Sequence, residues 1–448
     1  MKLLSFDTQQ HQDALSLQHK VIRLFGKLVP AITGVELKDA SDTLMRDLRM
    51  NGTSQRLEEF LMTHQQDWED IALILNEEAT PTTLGMLLDK LNIYMWTING
   101  ERLVQLNYSK GIGRWWNLLT ENSRGHLFTY PELELVSLPF HKFYNMNERE
   151  ETKLENLDDT HPITIMEKLD GSMIHLFEVS GELVSGTRGS VGEYYYNDKA
   201  ISLLTEKNKK AILSLIRDGY TPMFEILLKE GDQYGQTVRY QENELKLIAI
   251  RHRESGAYVH PATLSDIAEG LGMTSTTHYA DKALADIFEE QKTVKNLEGW
   301  VLYFENGMMV KLKAEDYLEM NYSFNIESRM KAYPHIIEPT LYQWVVENVY
   351  DDYLSSIKDE DFRTELETTL ERIQTHAQGY FKKLHVKFNE HFTLDRKAFS
   401  LALMKDEEVN QMDFHLIFKL YKGETLRLIG IPWEAVKKYE ETIDLSCK

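Results

Sequence analysis

Apolar residues in this chain keep two rhythms, and the places where the rhythm changes constrain the fold more than any other feature. From Met1 to about Asn76 the spacing is helical, through Leu15, Val21, Ile22 and Phe25 and again through Leu57, Phe60, Leu61, Trp68 and Ile71. The segment Glu77–Thr83 reads as a linker or a helix start. From Thr82 to Tyr322 short apolar strands alternate with helices. The strand candidates are Ile163–Met166, Met173–Glu178, Met223–Leu228, Leu245–Ile250, Trp300–Phe304 and Met309–Leu312. A long helix is expected over Ala200–Arg217, stopped by Gly219, and another over Ala262–Leu271. Beyond Ile326 the helical rhythm returns. Leu341, Trp344, Val345, Val349 and Tyr353 form one stripe, and Pro432 stands where a final helix begins. The expected class is α+β, in three parts: a helical module 1–81, a mixed domain 82–325 and a helical domain 326–448.

A chain of 448 residues is long enough for two or three domains with their own cores. No apolar run approaches the roughly 20 residues a membrane-spanning helix needs. The apolar part of Met1–Asp7 is too short for a secretory signal, so a cytoplasmic protein with no membrane partner is expected. Its one cysteine, Cys447, excludes an internal disulfide and a cysteine-built zinc cage. With 71 acidic against 50 basic residues the net charge is −21, which opposes general adhesion to nucleic acid. Any affinity for phosphates must come from a local basic site.

Glu167-Lys168-Leu169-Asp170-Gly171-Ser172 sits between two strand candidates. An Asp-Gly turn can reverse the chain and present Lys168 at a strand end. A lysine becomes a nucleophile only when burial or nearby positive charge lowers its pKa. A solvated lysine on an exposed hairpin fits the hexapeptide equally well. Glu225 lies inside the apolar run Phe224-Glu225-Ile226, a costly place for a carboxylate with nothing to bind. Glu298 opens a strand in Leu297-Glu298-Gly299-Trp300, and each glutamate alone also fits an outward-facing position. Lys311 and Lys313 share a strand face, where two ammonium groups repel unless an anion lies between them or solvent screens them. Arg124 and Lys142, the latter among aromatics in Phe140–Asn145, are two further basic positions.

Taken in order, Arg124, Lys142, Lys168-Leu-Asp-Gly-Ser172, Glu225, Glu298-Gly299 and Lys311-Leu-Lys313 resemble the covalent nucleotidyltransferases. Within them they are most similar to the bacteriophage tRNA-repair RNA ligases, the RNA ligase 1 family. The likeness runs from Leu103 to Tyr322 and includes Leu138–Asn147 and Gly186-Thr-Arg-Gly-Ser190. It implies a nucleotidyltransferase domain and an ATP-dependent RNA ligase working in three steps. Lys168 takes AMP from ATP, passes it to an RNA 5′-phosphate, and an RNA 3′-hydroxyl displaces it.

The resemblance also implies roles. Lys168, with Asp170 beside it, is catalytic, in the motif that Gly171 and Ser172 complete. Lys311 and Lys313 hold the α-phosphate, Glu225 the ribose hydroxyls, and Glu298 a Mg2+ or Mn2+ ion. Arg124 and Lys142 contact the nucleotide, Arg188 the RNA or a phosphate, and Tyr108 and Tyr317 are further carry-overs. Asp351 falls where the family has an acidic residue near a metal, and equally suits a solvated helix face. The implied partners are RNA with 5′-phosphate and 3′-hydroxyl ends, a nicked tRNA above all, and an end-healing kinase–phosphatase. DNA ligases and capping enzymes usually carry Arg two places after the Gly of this motif, where this chain has Met173. They also need an oligonucleotide-binding barrel, and only helices are expected after Lys313. A non-catalytic RNA-binding scaffold is the rival from another class, although it has no need of these lysines and glutamates.

Overall fold

The computed structural model describes all residues except 42–44, 46–53, 110–111, 113–114, 158–161, 163, 230–236, 280–281, 322–329, 331–333, 358–359, 394, 425 and 447–448. Cys447 therefore lies outside the described residues, as does Ile163. The chain forms two compact units, Met1–Ala40 with Glu59–Phe324, and Ser41–Glu58 with Asn325–Lys448. The architecture is α+β, with helices toward both ends of the chain flanking the sheet region.

Three sheets build the first unit. The strands are β1 (Leu91–Ile98), β2 (Glu101–Tyr108), β3 (Arg124–Thr129), β4 (Leu135–Ser137), β5 (Tyr144–Asn145), β6 (Thr164–Lys168), β7 (Ser172–Val179), β8 (Glu182–Gly186), β9 (Tyr220–Leu227), β10 (Glu244–His252), β11 (Thr274–Ser275), β12 (His278–Tyr279), β13 (Gly299–Tyr303) and β14 (Met309–Lys313). They order as β1-β2-β3-β4, β11-β10-β9-β7-β8 and β12-β6-β13-β14-β5. Helices Glu206–Arg217 and Leu264–Leu271 contribute Ile212, Leu215, Ile216, Leu264 and Ala268 to a core shared with Ile174, Leu176, Phe224, Ile226 and Leu247. A second core gathers Ile165, Trp300, Leu302, Val310 and Leu312 around Ile287 of helix Leu284–Gln291. Each fully buried side chain of this size contributes roughly 1.5–3 kcal/mol.

The N-terminal residues are part of the same unit. The Leu4 amide donates to Tyr258 O at 2.8 Å. Helix Thr8–Thr33 starts on an Asp7 cap, stops at Gly34 with φ +73°, and buries Leu17, Val21, Leu24, Phe25 and Leu28. From it Gln18 donates to Asn122 O at 2.9 Å.

The six strand candidates are all strands, with ends shifted by a few residues. Strands β1 to β5 were absent from the sequence reading. In β2 the last six residues are all buried, so no alternation marks it. The expected helix Ala200–Arg217 is two helices, Tyr195–Ser202 and Glu206–Arg217. Thr205 breaks the run by capping the second, accepting from the Asn208 amide at 3.2 Å while Asn208 Oδ1 accepts from the Thr205 amide at 2.9 Å. Glu77–Thr83 leads into a helix, Pro81–Lys90, capped by Thr80. The C-terminal stripe divides between helices Pro334–Glu347 and Asp351–Ser356, with Asn348 at φ +54° between them. Helix Trp433–Ser446 follows Pro432 as expected. Among the described residues no helix is long and apolar enough to cross a membrane.

Candidate active site

Lys168 is the last residue of β6, and Ser172 the first of β7. The Asp170-Gly171 turn does not close a hairpin, because β6 pairs with β12 and β13 while β7 pairs with β8 and β9. The turn instead carries the chain from one five-stranded sheet into the other. Gly171 is dictated by packing: a Cβ there would lie 2.3 Å from Ile226 O and 2.9 Å from Glu225 Cγ. Lys168 is thereby held beside Glu225.

Across the third sheet Gly299 stands opposite Lys168 on one side and Lys313 on the other. Directly opposed residues point to the same face, so two lysines flank a position without a side chain. Gly299 has φ +147°, and a Cβ would lie 2.1 Å from Leu312 O. Glu298, 4% exposed, fills the space between the lysines. Its carboxylate accepts from Lys168 Nζ at 2.6 Å and from Lys313 Nζ at 2.9 Å. Lys313 is no solvated edge residue, since β14 is flanked by β13 and β5 and its side chain is only 10% exposed. The anion demanded by the lysine spacing is thus supplied, for Lys313, by the protein itself. Burial works to raise the Glu298 carboxyl, yet Lys168 and Lys313 hold it below the usual range. Glu225 behaves oppositely. Burial, aided by Glu298 and Asp170, pushes it up to about 8 against the pull of Lys168 and Arg124.

Asp170 is 7% exposed and accepts the backbone amides of Thr237 and Val238, at 2.5 and 2.8 Å, and the Tyr317 hydroxyl at 3.0 Å. Its own amide donates to the Tyr240 hydroxyl oxygen at 3.0 Å. These bonds tie the turn after Lys168 to two other chain segments. Asp170 therefore anchors the turn that follows Lys168.

The remaining cations gather around Tyr108, at the end of β2. The Arg188 guanidinium stacks over its ring at 4.7 Å. Burial works to raise the Tyr108 hydroxyl, but Arg188, Arg124, Lys142 and Lys311 bring it down to about 8. Lys142 lies 4.8 Å from the ring centres of both Trp116 and Tyr144 and pairs with Glu148 at 3.1 Å. Among the described residues neither Arg124 nor Arg188 has an acidic partner. A partly buried place with several cations and few carboxylates is suited to bind phosphate groups. Asp351 opens helix Asp351–Ser356 in the second unit, so the geometry of the first unit does not bear on it.

Trp116, Glu148 and Tyr240 were absent from the sequence reading, and Tyr144 entered it only as one of the aromatics around Lys142. Tyr240 had no signal, since only the fold brings it to Asp170.

Residues 118–324 match the RNA ligase family model. The match takes in every candidate from Arg124 to Tyr317 and leaves out Tyr108 and Asp351. A Thermovibrio ammonificans protein named "Putative RNA ligase" is 28% identical over 250 residues, 53% of this chain and 61% of that protein. A "Putative bifunctional polynucleotide kinase/RNA ligase" of Autographa californica nuclear polyhedrosis virus is 25% identical over 294 residues, 60% of this chain and 39% of that protein. The chain thus spans less than two thirds of the length of these relatives. Among solved structures, an archaeal ATP-dependent RNA ligase is similar at 13% identity and a TM-score of 0.42, covering 80% of this chain and 99% of that one. A Naegleria gruberi RNA ligase variant solved with ATP and Mn is similar at 13% identity and a TM-score of 0.32, over 53% and 81%.

Proposed function

We propose that this chain is an ATP-dependent RNA ligase that carries AMP on Lys168. The observation that supports this most is the set Lys168–Glu298–Lys313, with Glu225 beside it and four further cations around Tyr108. In the first step Lys168 loses its ammonium proton to solvent, and the neutral Nζ attacks the α-phosphorus of ATP. A P–N bond forms, the bond to the β-phosphate oxygen breaks, and pyrophosphate leaves. Lys311 and Lys313 act on the α-phosphate, where donors aimed at developing charge lower the barrier most. Arg124, Lys142 and Arg188 serve the remaining phosphates or the RNA end. Glu225, holding its proton near neutral pH, donates to a ribose hydroxyl.

A Mg2+ or Mn2+ ion suits the carboxylate oxygens of Glu298, which stay charged because Lys168 and Lys313 hold that carboxyl below the usual range. Glu298 would hold such an ion, which supplies charge neutralisation at the transferring phosphoryl group. The mixed region 82–325 carries the catalysis in this reading, with the helical module 1–81 before it, most of which packs in the same unit, and the helical domain 326–448 after it.

The RNA in this proposal is a tRNA nicked in its anticodon loop. The stem holds both ends close together and removes much of the entropy cost of joining them. A −21 body also gains from reading one RNA shape through a local basic site. An end-healing kinase–phosphatase fits as partner, and the viral relative's name joins a kinase to a ligase. Incubation with labelled ATP or GTP tests the chemistry: covalent AMP is expected, and label from GTP alone would indicate a capping activity. Competition among nicked tRNA, unstructured RNA and a nicked RNA duplex tests the substrate. Preference for the duplex would overturn the tRNA assignment.

A further inference from the structure

A few residues beyond Arg188 the chain carries three tyrosines in a row, Tyr194, Tyr195 and Tyr196. Tyr194 and Tyr195 keep 48% and 45% of their surface exposed. Tyr194 meets Trp96 edge-on, with ring centres 5.8 Å apart. Trp96 lies 6.2 Å from Tyr94, two residues earlier on the same face of β1. Tyr195 lies 5.4 Å from Tyr196. Aromatic rings thus run from Tyr94 through Trp96 to Tyr194 beside the edge strand of the first sheet, and a second pair, Tyr195 with Tyr196, follows in the chain at the start of helix Tyr195–Ser202.

Polar side chains tie this row to the cations around Tyr108. The Trp96 indole N–H donates to Gln105 Oε1 at 3.2 Å, and Gln105 Nε2 donates to Thr187 O at 3.1 Å. Asn107, two residues along β2, donates to Arg188 O at 3.0 Å. Leu103 is the partner of Trp96 across the strands, and Tyr108 follows five residues later. At about 3.4 Å per residue the two ends of the assembly lie roughly 17 Å apart.

We propose that the Tyr94–Trp96–Tyr194–Tyr195 row is a stacking platform for unpaired RNA nucleotides next to a strand end whose phosphate lies among Arg188, Arg124 and Lys142. The role of that end rests on the ligase reading, whereas the preference for unpaired bases rests on the platform. Nucleotides inside a duplex already stack on one another and present no free face, while unpaired ones stack on exposed rings. The charge agrees, because a backbone is drawn to cations, and Arg188, whose carbonyl Asn107 holds, links the platform's side of β2 to the cations around Tyr108 at the strand's end.

The test uses the full chain with Tyr194→Ala/Tyr195→Ala, and with Tyr194→Phe/Tyr195→Phe as the conservative control. Binding of a 5′-phosphorylated single-stranded RNA and of a blunt 5′-phosphorylated RNA duplex is measured by fluorescence anisotropy, and lysyl-AMP formation is followed alongside. The alanine variant should lose about tenfold in affinity for the single strand, and the phenylalanine variant little. Duplex affinity and lysyl-AMP formation should not change. An unchanged single-strand affinity, or an equal loss on both RNAs, overturns the proposal. If the wild-type protein takes no AMP the ligase reading fails, and the binding difference still decides on the platform.

Discussion

Two charged clusters, one in each unit, differ in whether their charges are matched. In the second unit Lys387 Nζ lies 3.1 Å from Glu390, 3.1 Å from Asp406 and 2.6 Å from Glu408, and His391 closes on Asp406 at 2.7 Å. Burial works to raise Asp406, but His391 and Lys387 take it down to about 2. About four turns earlier on the same helix, Arg372 joins Glu338 and Glu440, and Lys437 joins Glu338 at 3.1 Å. Glu390, His391 and Asp406 come close enough to hold a metal, but Lys387 already sits among them. That cluster is complete. In the first unit Arg124 and Arg188 lack acidic partners among the described residues, and Glu225 retains a proton to about 8. Charge left unmatched inside a fold is expensive, and its presence there marks a place for a ligand.

The comparison can be broken by mutation. Arg124→Ala combined with Arg188→Ala should slow lysine adenylylation by about two to three orders of magnitude while the protein stays folded. A rate like that of the wild type would mean that the open charges serve no phosphate. Gly299→Ala should destabilise the first unit by about 3 kcal/mol, because the new Cβ meets Leu312 O at a positive φ. Chemical denaturation reads this, and an unshifted midpoint would refute the packing account. Lys387→Met should cost about 1–2 kcal/mol and leave adenylylation untouched, since it only opens a matched network. Altered adenylylation would give that cluster a part in the chemistry.

The smallest effect concerns pH. Glu225 has a raised folded-state pKa, so between about pH 4.5 and 8 the native state holds a proton that the unfolded chain has lost. This contribution to stability is complete below the unfolded pKa and fades as pH rises through 8. Glu225→Gln lacks it, so the variant should gain in melting temperature relative to wild type from pH 5 to pH 8. Parallel melting curves across that window would contradict the assignment.

How much was legible in the sequence differs between strands and contacts. The six apolar runs around Lys168 marked six strands, because short runs ending in Gly, Asn or charged residues leave few other structures open. Strand β2 was invisible, since its last six residues are buried and no alternation survives. The pairing of Lys311 with Lys313 on one face followed from period two. That Glu298 would fill the gap over Gly299 did not, because the register of β6 on β13 is a tertiary fact. The convergence of Arg124, Lys142, Arg188 and Lys311 on Tyr108 was equally hidden, as those residues come from four separate segments.

The central claim is that Lys168 is the residue that takes AMP. Wild-type protein and Lys168→Ala are incubated with ATP labelled at the α-phosphate and a divalent metal, and the modified peptide is located by mass spectrometry. The account predicts one AMP per chain on the peptide containing Lys168, and no label on a Lys168→Ala protein with an unchanged melting temperature. Label that persists in the variant, or that maps to Lys311 or Lys313, would contradict it.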